Sequence, residues 1–163
     1  MSSRKKVALA VLGGVLLVFV LIQLVPVERS NPTGGARIAW DSPRTEALAR
    51  RACMDCHSNE TVWPGYARVA PVSWFVANHV NEGRREMNFS TGREVEIDEC
   101  AREMQRGTMP MASYTWLHPE AKLSATEQQE LIAGLRRTFA GARGGEGAGA
   151  GGGHERRGDH DDD

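Results

Sequence analysis

Hydrophobic positions divide the chain into four stretches of different character. The first is an uncharged run from Val7 to Val25, preceded by Arg4, Lys5 and Lys6. At about 1.5 Å of rise per residue, a helix over this run approaches the thickness of a bilayer's hydrocarbon core. A polar segment with Pro32, Gly34 and Gly35 follows from Glu28 to Arg37. From Ile38 to Ala140 apolar residues recur at helical steps. Beyond Gly141 the chain is dominated by Gly, Ala and charged residues without periodicity. The expected organisation is a transmembrane anchor at 1–27, a tether at 28–37, a folded domain at 38–140 and a disordered tail at 141–163.

Within the domain the pattern predicts four helices. Ser42 reads as an N-cap and Pro43 as a first helical residue, and the helix that follows runs into a pair of cysteines. Pro71 to Arg85 predicts a second helix, with Val72, Phe75, Val76, His79 and Val80 as its apolar stripe. Thr91 and Glu94 have capping-box spacing for a third, on which Ile97, Cys100, Ala101 and Met104 share a face before Gly107 ends it. Ser124 and Glu127 repeat that spacing, and Leu131, Ile132, Leu135 and Phe139 form the buried face of the fourth. Nothing alternates as a strand does, so the fold class is all-α.

The basic cluster before the apolar run should stay in the cytoplasm and send the rest of the chain across the membrane. A cleaved signal peptide is the alternative, but its apolar region is usually shorter and ends in a small-residue cleavage site. Here the run ends in Val25-Pro26-Val27-Glu28. The expected location is the inner membrane, single-pass, with the domain in the periplasm.

Composition adds a restriction. Lys and Arg number 20 and Asp and Glu 21, so the chain carries no overall charge footprint for nucleic acid. Three tryptophans, Trp63, Trp74 and Trp116, fall in one part of the domain, as expected of pocket walls around a flat cofactor or of an ordinary core.

The chemistry is carried by Cys53-Met54-Asp55-Cys56-His57. Two thiols three positions apart can form thioethers with the two vinyl groups of one haem, and the next side chain can lie beneath the iron. A bare C-x-x-C would leave a thioredoxin-like or zinc-binding pair open, and the histidine separates the readings. Export supplies the compartment in which such haem is attached. A domain of this size has a small core, so the haem-free chain is expected to fold poorly.

Met109-Pro110 lies between the third and fourth helices and resembles the class I cytochrome c loop that supplies a distal thioether. More closely, the chain resembles the bacterial haem-binding domain family of exported, single-haem, c-type-cytochrome-like proteins. The resemblance rests on the cysteine motif, Trp63-Pro64, Ala70-Pro71-Val72-Ser73-Trp74, Asn81-Glu82-Gly83-Arg84, Asn88-Phe89-Ser90, Met109-Pro110, Tyr114-Thr115 and His118-Pro119-Glu120-Ala121. It spans about Pro43 to Leu135. It implies a cytochrome c-like domain with one haem c held by Cys53 and Cys56, His57 as axial ligand and Met109 as distal ligand. It implies no particular reaction. Met111 departs from the pattern and leaves a second thioether near the iron.

Competing sixth ligands are Met111, His79 and His118, with Met87 and Met104 read as packing residues. His79 also reads as a core or propionate-binding residue, and His118 as a hydrogen bonder fixing a turn. Arg68, Arg84 and Arg85 are candidate propionate partners or solvated surface, and Cys100 reads as a small buried hydrophobe. With both axial positions filled, the expected role is single-electron transfer between redox partner proteins. The alternatives are a peroxidase-like enzyme with an opening distal site and a haem-based sensor or binding module.

Overall fold

A computed structural model describes residues 2–91 and 95–140. Among them are seven α-helices, two short 3₁₀ turns and no strand. The helices are α1 (Ser3–Ile22), α2 (Pro43–Ala52), α3 (Met54–His57), α4 (Val72–Glu86), α5 (Ile97–Arg106), α6 (Ala112–Leu117) and α7 (Ala125–Ala140). The expected tail, and Glu94 of the capping box proposed for the third helix, lie outside the described residues.

Helix α1 buries none of its residues and has a mean hydropathy of 2.3 over its most apolar window. An exposed helix that is apolar all round belongs in a membrane or in a signal sequence. The stretch after it is not the freely rotating tether that its composition predicts. Asn31 Nδ2 donates to the Thr61 carbonyl at 2.9 Å, Trp63 Nε1 donates to Asn31 Oδ1 at 3.2 Å, and the Ala36 amide donates to the Ser90 carbonyl at 2.9 Å. Arg84 reaches back from α4 to the Ser30 carbonyl and to Asn31 Oδ1, both at 2.9 Å. Proline and glycine kept the segment irregular, and its donors and acceptors then found partners on the domain.

The core joins α2, α3, α5 and α7. Leu48, Ala49, Met54, Ile97, Ala101, Met104, Leu131 and Leu135 are buried together with Phe89. Both N-terminal caps form as their sequences predict. Ser42 Oγ accepts from the Thr45 amide at 3.2 Å. The Ser124 box closes in both directions, Glu127 N to Ser124 Oγ at 3.2 Å and Ser124 N to Glu127 Oε2 at 2.9 Å. Helix α2 crosses α7 at Gly134, where an added Cβ would stand 2.7 Å from Thr45 Cγ2.

Three expectations are corrected. Helix α5 starts at Ile97, with Glu96 in the cap position and no side-chain cap, while Thr91 Oγ1 donates to the Asn88 carbonyl in a turn. Helix α4 buries Ser73, Ala77 and Val80, whereas Val72 and Phe75 of the expected stripe are exposed. Small side chains let α4 lie close to its neighbours, so the larger apolar residues point elsewhere. Helix α6 was not foreseen: Ala112-Ser-Tyr-Thr-Trp-Leu is too short to show a period, and it buries no residue.

Candidate functional site

The chain turns sharply at Cys53, which ends α2 and begins α3 with φ −126° and ψ −42°. Cys53 therefore stands at the corner and Cys56 one turn on. Ser58 closes α3, its hydroxyl donating to the Met54 carbonyl at 2.6 Å. His57 is held at both ends: its carbonyl accepts from the Phe89 amide at 2.8 Å, and its Nδ1 faces the carbonyls of Gly83 at 2.9 Å and Met87 at 3.2 Å. Carbonyls only accept, so Nδ1 carries the proton and Nε2 keeps its lone pair. Gly83 is the residue that permits this approach, since a Cβ there would stand 2.6 Å from the Cys56 carbonyl oxygen.

A cavity of about 720 Å³ opens in front of these residues. Cys53, Cys56, His57, His79, Gly83 and Met87 line it from α3 and α4. Met104, Met109 and Met111 line it from α5 and the loop beyond. Helices α4 and α5 both contribute to its walls. Glu82, Glu86, Glu96, Glu99 and Glu103 also face it, with Arg85.

Met109 is delivered by the end of α5. Gly107 takes the left-handed conformation at φ +73°, which favours glycine, and the amides of Thr108 and Met109 return to the Glu103 carbonyl at 3.1 and 3.3 Å. The four residues singled out by sequence, Cys53, Cys56, His57 and Met109, thus share one cavity.

The two motif thiols are neutral. Burial pushes the Cys53 thiol up to about 12, with Cys100 and Cys56 adding to the shift. Burial first, and then the nearby Asp55 charge, push Cys56 up to about 11. A thioredoxin-type nucleophile needs the reverse shift. Among the described residues no three His, Cys, Asp or Glu side chains gather as a metal site.

Other candidates are placed differently. The His118 ring bonds the Tyr66 hydroxyl at 2.7 Å and Glu120 Oε1 at 3.1 Å and does not line the cavity, in keeping with a turn-fixing role. Trp63, Trp74 and Trp116 are not cavity walls, and Trp116 is 81% exposed. The guanidinium of Arg84 is engaged by the Ser58 carbonyl at 2.8 Å and Thr61 Oγ1 at 2.8 Å, besides its bonds to residues 30 and 31. Cys100 is half-buried, lines the cavity and lies 3.2 Å from Met87 Sδ. Sequence reasoning missed the pair Tyr114 and Asp55, whose phenol and carboxylate meet at 2.6 Å. No periodicity links residues so far apart in the chain.

A family model described as "Haem-binding domain" matches residues 17–137. The chain belongs to this haem-binding domain family. No curated protein and no solved structure matches it. The match begins inside α1, so the end of the apolar helix and the bonded segment 28–37 fall within the family's unit. The cavity suits a haem-binding domain: thioether and aliphatic side chains offer an apolar bed for a macrocycle, and the imidazole nitrogen of His57 left without a hydrogen-bond partner has the chemistry of a metal ligand.

Proposed function

We propose that this haem-binding domain is a membrane-anchored, periplasm-facing cytochrome that carries single electrons. In this reading Cys53 and Cys56 would hold haem c through thioethers, and His57 Nε2 and Met109 Sδ would ligate its iron. The haem supplies a ferrous–ferric couple, and methionine on the iron favours the ferrous form relative to a second histidine. His57 contributes a fixed ring whose proton is committed to two carbonyls. The three-bond return of the chain at Gly107 to Met109 holds the thioether loop against the end of α5. Arg4, Lys5 and Lys6 in the first turn of α1 support the orientation, and the partners would be other redox proteins.

The observation that supports the reading is that His57, from α3, and Met109, from the loop after α5, line one cavity together with Cys53 and Cys56. A peroxidase-like enzyme of the usual kind needs a histidine–arginine pair on the iron face away from His57. His79 and Arg85 line the cavity but both belong to α4, the helix that holds His57, and the α5 side contributes the carboxylates Glu96, Glu99 and Glu103 without such a pair among the described residues. Absorption spectra of the holoprotein test the choice. A weak thioether-to-iron band in the ferric form, lost in Met109→Ala, with no carbon monoxide binding by the wild type, is expected. Rapid carbon monoxide binding and peroxide turnover by the wild type would overturn the proposal.

A further inference from the structure

The start of α4 is unlike the rest of the domain surface. From Val69 to Val80 the chain has no Asp, Glu, Lys or Arg. Yet Val72 is 43% exposed, Trp74 36% and Phe75 52%, and Val69 just before them 45%. Water-facing helix surfaces normally carry charge. Side chains lean toward a helix's N-terminus, so Val72, Trp74 and Phe75 in the first turn all tilt toward the Ala70–Pro71 end.

That end is fastened to α1. Gln23, the first residue after α1, receives the Ala70 amide on Oε1 at 2.9 Å and donates from Nε2 to the Ala70 carbonyl at 3.2 Å. A few residues on, Arg29 donates to the Ala67 carbonyl at 2.9 Å. The apolar rim therefore adjoins the end of the helix that is apolar all round.

We propose that Val69, Val72, Trp74 and Phe75 form a membrane-contact face, seated in the interfacial layer of the bilayer that α1 spans. The inference rests on α1 being an uncleaved anchor. A phospholipid surface is the occupant that fits, because the patch adjoins the end of the apolar helix through the Gln23–Ala70 bonds and mixes an indole with aliphatic side chains, the chemistry of the headgroup boundary. The contact fixes the cofactor's height as well. Gly83, whose carbonyl holds His57, follows Phe75 by eight residues on the same helix, about 12 Å of helical rise.

The test uses the full-length holoprotein in nanodiscs of phosphatidylglycerol and phosphatidylethanolamine. A photoreactive benzoylphenylalanine replaces Phe75, or Val15 inside α1, or the exposed Glu130 of α7, with the haem spectrum checking the fold of each. Irradiation followed by intact-mass measurement is expected to add the mass of one phospholipid at positions 75 and 15 and none at 130. Lipid adducts at 15 without any at 75 would overturn the membrane-contact face and leave the anchor standing. Crosslinking of 75 to a second copy would overturn it in favour of a dimer. Absence of lipid adducts at both positions would overturn the anchor and, with it, the face.

Discussion

The phenol of Tyr114 donates to the carboxylate of Asp55 across 2.6 Å, tying α6 to the interior of the Cys-x-x-Cys-His motif. Asp55 also accepts the Val62 amide at 2.9 Å on its other oxygen. Burial, and then the bond to Asp55, raise the Tyr114 pKa, so the phenol stays protonated and donating. Removing the hydroxyl in Tyr114→Phe is expected to cost about 1–2 kcal/mol, a charge-assisted bond discounted for partial exposure. Urea unfolding of the holoprotein checks it. Unchanged stability would show the bond to be replaceable by water.

Gly83 sits inside a helix, where alanine would ordinarily stabilise by about 1 kcal/mol. Here the Cβ would press on the Cys56 carbonyl, so Gly83→Ala is expected to be net destabilising by about 1–3 kcal/mol. Because the shift of α4 would carry the Gly83 carbonyl away from His57, the yield of haem-loaded protein should fall in parallel. A melting temperature at or above wild type would contradict this account.

Arg84 holds residues 30 and 31 against the domain. In Arg84→Ala that segment is expected to come loose, and trypsin should cut at Arg29 and Arg37 faster than in the wild type. Equal cleavage rates would mean that the bonds of Asn31, Trp63 and Ala36 suffice to keep it in place.

Glu127 has its pKa lowered to about 2, from an ordinary value of 4.5, by the Ser124 amide first and then by Arg51. Its folded value lies below its unfolded one. The stability it adds is therefore complete above pH 4.5 and is lost as pH falls toward 2. Glu127→Gln should flatten the fall of the urea midpoint across that window while changing little of the slope at higher pH. Parallel midpoint curves for variant and wild type would assign the acid sensitivity to other carboxylates.

How far the sequence could be read depended on the distance over which each signal acts. The caps at Ser42 and Ser124, the stop at Gly107 and the buried faces of α5 and α7 are local patterns, and the structure contains them. The sequence places helix α4 within a residue of its ends, and of its expected stripe Val80 is buried while Val72 and Phe75 are exposed and the small Ser73 and Ala77 are buried in their stead. The supposed tether was misread because a polar, glycine-containing segment looks free until its bonding partners, more than twenty residues away, are known. At the site, residue type and spacing single out Cys53, Cys56, His57 and Met109, and the structure brings these four to one cavity. Nothing in the sequence marks Gly83 as an acceptor for His57, because a backbone carbonyl has no residue identity.

That carbonyl has a consequence for the cofactor's redox poise. Gly83 and Met87 close the last turn of α4, the end at which peptide dipoles concentrate negative charge. A ring pinned between their oxygens cannot rotate, and it is made more electron-donating by them. If His57 Nε2 ligates haem iron as proposed, the winding of that turn would tune the donor strength of the ring, and fraying it would shift the midpoint potential without displacing a ligand.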